Sequence, residues 1–275
     1  MKNGIRLAVR QDIPTLCEIW KSCFSDSEEY INYFYNENFK RIKVLVYDVD
    51  STPVSAVNLL DSEFINNNEC HKVKYLYAGG TLPEYRKSGY FSLLLKYAFE
   101  MAKQYGYGLF LKPSTEALVS YFAAQGFKTD SSFNLVTVYP DEIQPISLSD
   151  ISYKVYNSMR NDAYSNIPYA RWNDEHVCWC VKENEYFSGR TLKITLNKKD
   201  YLLMCYPEDN TLVITETNLS VSQIKQISGA LCDLFATEMI KAYMPDFSCN
   251  NGERIISSMV YNTSVSNTYV NLILI

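Results

Sequence analysis

Thr81-Leu82-Pro83-Glu84-Tyr85-Arg86-Lys87-Ser88-Gly89-Tyr90-Phe91 is the stretch that decides how this chain is read. It joins an apolar run, 72–82 (KVKYLYAGGTL), to the most regular amphipathic segment of the sequence, 89–105. There Phe91, Leu94, Leu95, Ala98, Met101, Ala102 and Tyr105 recur at three- and four-residue spacing, which predicts a helix stopped by Gly106. A strand that feeds a helix through a short loop leaves the loop amides and the first helical N–H groups without intrahelical partners. The helix dipole adds positive character at the same place. Arg86 and Lys87 supply cationic side chains, and Gly89 lets a ligand approach the backbone closely. Such a turn suits an anion, a pyrophosphate above all. On local pattern alone an ordinary basic turn, with a glycine for its geometry, explains these residues equally well. The spacing is neither G-x-x-x-x-G-K-[ST] nor G-x-G-x-x-G, so nucleoside triphosphates and dinucleotides lose ground.

Working outward, residues 5–9 (IRLAV) read as a strand, and Asp12 as the cap of a helix with Pro14 in its first turn. Ser25 to Glu28 carries a capping-box signature for a second helix reaching about Asn38. Strand-like runs follow at 42–47 and 54–60, around a turn at Asp50–Pro53. Beyond the central helix come a strand at 108–112, a helix from about Ser114 to Gln125 stopped by Gly126, and a strand at 133–139. Pro140 and Pro145, with Asp141 and Glu142 between them, mark a linker. The second half predicts a helix around 158–172 and strands at 177–181, 190–196, 200–206 and 211–217. A helix at 221–240 is capped by Ser220 with Gln223, and strands at 257–262 and 268–274 close the chain. This element order loosely echoes the first half, although no sequence identity supports a repeat.

Composition sets the bounds. The 275 residues suggest two domains, and 47% hydrophobic with 21% charged residues describes a globular chain. A net charge of −5 argues against a general grip on nucleic acid, which needs clustered Lys and Arg. No segment reaches the roughly 20 apolar residues of a membrane span, and MKNGIRLAVRQD lacks the apolar core of a signal peptide. A cytoplasmic protein without membrane partners is expected. The eight cysteines lie mostly in apolar patterns, with Cys178 and Cys180 on a predicted strand, and read as reduced thiols. His71 and His176 sit at no zinc spacing, so no metal is expected.

Two segments together resemble one family. Leu82-Pro83-Glu84-Tyr85-Arg86-Lys87-Ser88-Gly89-Tyr90 is similar to the acyl-coenzyme A loop of the GNAT acetyltransferase superfamily, Arg/Gln-x-x-Gly-x-Gly/Ala after a strand and a Pro-containing turn. The stretch from Lys112 through Tyr121 to Gly126-Phe127 resembles that family's later helix ending in Gly-Phe. The resemblance covers roughly residues 3–140. It implies an α/β (α+β) protein with a GNAT-like mixed twisted sheet flanked by helices over 1–142. A second, smaller α+β domain over 150–275 has no pyrophosphate loop, because Thr217-Asn218-Leu219-Ser220 holds neither glycine nor basic residue. It is similar to the degenerate second unit of tandem acetyltransferases.

The resemblance also implies roles. The backbone of Arg86, Lys87, Ser88, Gly89, Tyr90, Phe91 and Ser92 would bind the pyrophosphate of acetyl-coenzyme A, the co-substrate. Ala78, Gly79, Gly80 and Thr81 would pair with its pantetheine arm, and strand amides would polarise the thioester carbonyl. Trp20 to Tyr35 would wall the pocket of a small-molecule amine, the expected partner besides a homo-oligomeric copy. Two positions depart from the family pattern. Phe91 stands where Gly or Ala is usual, so its ring must point away from the phosphates. The usual acid, a Tyr four residues before the Gly-Phe glycine, is Phe122 here, and Tyr121 lies one residue earlier, about 100° around a helix. Tyr121 is the candidate acid. Glu28, Glu29 and Glu116 are candidate bases by region alone. In some tandem relatives the terminal carboxylate reaches the active site, a part Ile275 could take, although an edge strand of the second sheet is the more expected fate of the apolar NLILI tail.

Overall fold

The structure, a computed structural model, describes residues 3–142, 145–245 and 252–272. In chain order the first elements are β1 (Gly4–Leu7), α1 (Ile13–Cys23), α2 (Glu28–Asn38), β2 (Lys43–Val49), β3 (Thr52–Asn66), β4 (Glu69–Thr81), α3 (Tyr90–Tyr105), β5 (Gly108–Leu111) and α4 (Glu116–Gln125). They continue with β6 (Lys128–Val138), β7 (Ser147–Asp150), α5 (Tyr153–Tyr164), β8 (Tyr169–Arg171), α6 (Asp174–Tyr186) and β9 (Arg190–Leu196). The last are β10 (Lys199–Glu208), β11 (Thr211–Thr217), α7 (Val221–Phe235), β12 (Met239–Pro245) and β13 (Glu253–Tyr261). Two compact units result. The first holds Met1–Glu63, His71–Thr129 and Met259–Ser264; the second holds Phe64–Cys70, Asp130–Ser258 and Val265–Ile275. The strand expected at 133–139 thus groups with the second unit.

In the first unit the strands run in the order β1-β2-β3-β4-β5-β13. Two-residue turns with left-handed residues, Asp50-Ser51 and Asn67-Asn68, close the β2–β3 and β3–β4 hairpins. β4 and β5 are parallel, as a strand–helix–strand connection requires, and α3 is that connection. It buries Leu94, Leu95, Ala98, Phe99 and Ala102, each worth up to roughly 1.5–3 kcal/mol for the larger side chains. Gly106 ends α3 in the left-handed conformation (φ 66°), as expected. Tyr105, expected on the buried stripe, is exposed (65%). Ser27 caps α2, accepting from the Tyr30 amide, in place of the expected Ser25. Asp12 precedes α1 without capping it. Its carboxylate instead takes the Val9 amide and the Arg6 guanidinium.

The second unit orders its strands β6-β12-β11-β10-β9-β7 over a core that includes Leu192, Leu203, Ile214, Ile224 and Leu231. The sequence misreads several places here. The strand expected at 177–181 is part of α6, because Asn173 caps a helix at the His176 amide and Asp174 and Glu175 fill its first turn. Burial on a helical face overrides the β-branched and aromatic run. Cys178 and Cys180 accordingly lie on a helix. The helix expected at 158–172 is α5, started earlier by Ser152. The helix expected to reach 240 ends at Phe235, where Ala236 turns left-handed (φ 53°), and the freed residues form β12. The Ser220–Gln223 capping box is present as read. Residues 268–272 form no strand, only a bridge from Tyr169 to Tyr269; the rest of the run expected to 274, and Ile275, lie outside the described residues. The Pro140 region is not a free linker, since the Asp141 amide donates to Ser228 Oγ at 2.9 Å.

Candidate acyl-donor site

The site begins where β4 and β5 part. Their register runs Val73–Gly108, Lys74–Leu109 and Tyr75–Phe110 and then stops, while β4 continues for six residues to Thr81. Ala78 sits within this extension at φ 46°, a left-handed residue that kinks the strand. On the β3 side the strand stays anchored: Ser55 Oγ donates to the Gly80 carbonyl at 2.8 Å and the Leu82 amide to the Val54 carbonyl at 2.9 Å.

The two glycines each admit one side chain. A Cβ on Gly79 would lie 2.7 Å from the Phe91 ring, and one on Gly80 would lie 2.6 Å from Cys23 Sγ. The ring of Phe91 is therefore laid onto β4, as its position in the loop demands, while the tip of α1 fills the other face. Cys23 is a contact that sequence reading missed, because α1 and β4 are nearly sixty residues apart.

After Thr81 a single 3-10 turn (Pro83–Tyr85) leads into the loop. Lys87 (φ 63°) and Gly89 (φ 82°) are both left-handed, and Gly89 precedes α3 with no side-chain cap. Leu93 is the first residue to bond back, to the Gly89 carbonyl at 3.0 Å. The amides of Gly89, Tyr90, Phe91 and Ser92 meet no acceptor among the described residues. Lys87 and Ser88 are exposed beside them. Arg86 behaves differently. Its Nη2 donates to the Ser22 carbonyl at 2.7 Å and its Nε to the Thr81 carbonyl at 3.1 Å. It straps the loop to the last turn of α1, neutralising carbonyls at a helix C-terminus.

Tyr121 and Phe122 diverge on α4. Phe122 is buried against Phe127, ring centroids 5.8 Å apart. Tyr121 is half-buried, and its hydroxyl lies 2.9 Å from Ser92 Oγ. The helices expected to wall an acceptor pocket are tightly packed. Trp20 is surrounded edge-on by Tyr30, Phe34, Tyr35 and Tyr77 at 4.9–6.2 Å between centroids. Such pairs add about 0.5–1.5 kcal/mol each beyond their buried area. Burial lifts the Tyr35 phenol well above its usual range. Trp20 Nε1 donates to Asp26, a half-buried carboxylate that sequence reading passed over. Of the candidate bases, Glu28 is exposed and paired with Lys21 at 2.6 Å, whose hydrogen bond holds its carboxyl below the ordinary range. Glu29 and Glu116 are exposed in the first turns of α2 and α4. Among the described residues, no group of three or more His, Cys, Asp or Glu is placed to hold a metal ion, and no helix is long and apolar enough to cross a membrane.

Residues 4–122 match the family model described as an acetyltransferase (GNAT) domain. No curated protein matches the chain. Among solved structures, a protein of Enterococcus faecalis V583 described as a probable N-acyltransferase superposes with a TM-score of 0.73 at 12% identity, over 94% of this chain and 72% of that one. A GCN5-related N-acetyltransferase of Anabaena variabilis ATCC 29413 gives 0.70 at 14% identity, again over 94% and 72%. A GCN5-related glucosamine N-acetyltransferase region of a fungal multi-domain enzyme gives 0.59 at 13% identity, over 94% and 38%. These likenesses concern the fold, a mixed α/β sheet flanked by helices; the match over 4–122 concerns the family. Residues 4–122 are thus similar to the GNAT acetyltransferase domain, a family of acyltransferases.

Proposed function

We propose that this protein transfers an acetyl group from acetyl-coenzyme A to the amine of a small molecule. One observation carries the reading: four amides without acceptors at the start of α3, beside a β4 edge that outruns β5. Amides fixed by a helix and a left-handed glycine are a ready site for a diphosphate. The free length of β4, Ala78 to Thr81, offers strand hydrogen bonds to the pantetheine amides. The diphosphate would be held by backbone, with Lys87 adding charge and Arg86 keeping the loop in place. The co-substrate supplies the activated acyl group as a thioester. The neutral amine attacks the carbonyl carbon, the new C–N bond replaces the C–S bond, and the amine proton passes to solvent. A coenzyme A thiol with a pKa of about 8.5 is a tolerable leaving group near neutral pH, so water suffices to protonate it. Lys21 holds Glu28 as a poor base. The fungal neighbour's description as a glucosamine N-acetyltransferase supports an amine acceptor. The acidic balance of the chain favours a cationic acceptor over a nucleic acid. The second unit is read as a GNAT-like partner without a diphosphate loop.

Calorimetry with acetyl-coenzyme A, followed by thiol release with a panel of small amines, tests the reading. Binding in the micromolar range with amine-dependent thiol release supports it. No binding at millimolar acetyl-coenzyme A overturns it. The buried Phe122 at the family's acid position favours a second reading, an acyl-coenzyme A-binding protein of little turnover. Binding without thiol release for any amine would select that reading.

A further inference from the structure

We infer that Tyr121 is a positioning residue for the diphosphate of the acyl donor, acting with Ser92, and not the acid that protonates the departing thiolate. This rests on the acyl-coenzyme A reading above and adds a residue role to it. Three observations lead here. The side chain at position 122 is the one directed into the apolar layer, against Phe127, which in turn packs on Phe99 at 5.4 Å. Tyr121, one step round the helix, is turned instead toward α3. Its hydroxyl meets Ser92 Oγ at 2.9 Å, and neither hydroxyl has another partner among the described residues. Ser92 is the third residue of α3, and its own amide belongs to the set without acceptors.

The proton count follows. Two hydroxyls carry two protons, and the hydrogen bond between them consumes one. Whichever donates, the other keeps an O–H free, so the pair always presents one donor beside the open amides. A diphosphate there gains a fifth donor that rotates to suit it. Hydrogen bonds to charged groups are stronger than neutral ones, which gives the pair its weight. The thioester end of the donor lies by contrast at the Ala78–Thr81 edge of β4. The face of Gly79 there is already taken by the Phe91 ring.

The test compares Tyr121→Phe, Ser92→Ala and the double variant with the unmodified protein. Each is titrated with acetyl-coenzyme A and with acetyl-pantetheine, which has the thioester but no diphosphate. The expected result is an acetyl-coenzyme A Kd raised about tenfold in the double variant, the size of one lost bond to a charged group. Each single variant should raise it by less, about threefold, since the remaining hydroxyl keeps its O–H but loses the partner that holds it in place. Acetyl-pantetheine binding should not change. With any amine of the panel that turns over, kcat at saturating donor and its pH profile should be unaltered. An unchanged Kd with a reduced kcat and an altered basic limb would make Tyr121 the acid and overturn the inference. An unchanged Kd and kcat would overturn it as well. Failure of the unmodified protein to bind acetyl-coenzyme A would instead overturn the acyl-coenzyme A reading, and this inference with it. Should Tyr121→Phe fail to fold, Ser92→Ala, which removes one half-buried hydroxyl, still decides through its smaller rise in Kd for acetyl-coenzyme A and none for acetyl-pantetheine.

Discussion

α3 and α7 occupy the same place in their units: each follows a strand, and each leads into a strand parallel to that one. Their first turns are opposites. Ser220 accepts from the Gln223 amide, and the Gln223 side chain returns the bond to the Ser220 amide at 2.8 Å. Gly89 has no side chain to offer, and four amides stay open. The strands before them differ likewise. β11 ends in a closed polar core, where Glu216 meets Arg160 at 2.9 Å and Tyr156 at 2.8 Å, all fully buried. Asn271 donates to the Thr215 carbonyl and Tyr164 to the Thr217 carbonyl. β4 ends instead in two glycines and a strap. The two strand–helix–strand connections thus differ in their first turns, one sealed by side-chain capping and one left open.

Glu216→Ala breaks the sealed version most severely. It strands the Arg160 charge in the core and should cost about 3–5 kcal/mol, read from urea unfolding. At the equivalent end of β4, Gly80→Ala should cost about 1–3 kcal/mol through overpacking against Cys23. Cys23→Ala in the same chain should recover much of that loss; a purely additive double variant would refute the contact. Ser220→Ala should cost about 1 kcal/mol, as cap removal does elsewhere, and leave donor binding unchanged. Ala78→Gly should add roughly half a kcal/mol of stability by relieving a left-handed alanine, after allowing for the entropy of glycine.

The smallest effect is one of pH. Burial pushes the Asp12 carboxyl up, but hydrogen bonds from Arg6 and the Val9 amide outweigh it and leave it below the ordinary range. A depressed carboxyl stabilises the fold above the unfolded pKa of about 3.9 and loses that contribution as pH falls through the lower folded value. Urea midpoints followed from pH 5 down to 2 should fall, and less so in Arg6→Met. A profile identical in both would remove Asp12 as a source.

What the sequence disclosed was local. The loop 81–91, the stops at Gly106 and Gly126 and the Ser220–Gln223 box depend on neighbours a few residues away. The helix at 174–186 was hidden because Val177-Cys178-Trp179-Cys180-Val181 has strand composition, and only the Asn173 cap and its buried face override it. β12 was hidden because Ala236, not a glycine, takes the left-handed turn. In the site, the family pattern located the amides, but the fillers of Gly79 and Gly80, the Arg86 strap and the Tyr121–Ser92 pair join distant segments. Such contacts leave no periodic trace.

The first unit is completed by six residues from near the other end of the chain. Met259, Val260 and Tyr261 pair with Leu111, Phe110 and Leu109, Tyr261 stacks on Phe99 at 4.1 Å, and Asn262 donates to the Tyr107 carbonyl. During synthesis the first unit therefore waits for a strand made long after β5. Until then one edge of β5 stays bare, an invitation to mispairing that a chaperone has reason to cover. An excised fragment stopping at Glu142 inherits that same unfinished edge, and a peptide spanning 252–272 supplied in trans is the natural means of finishing it.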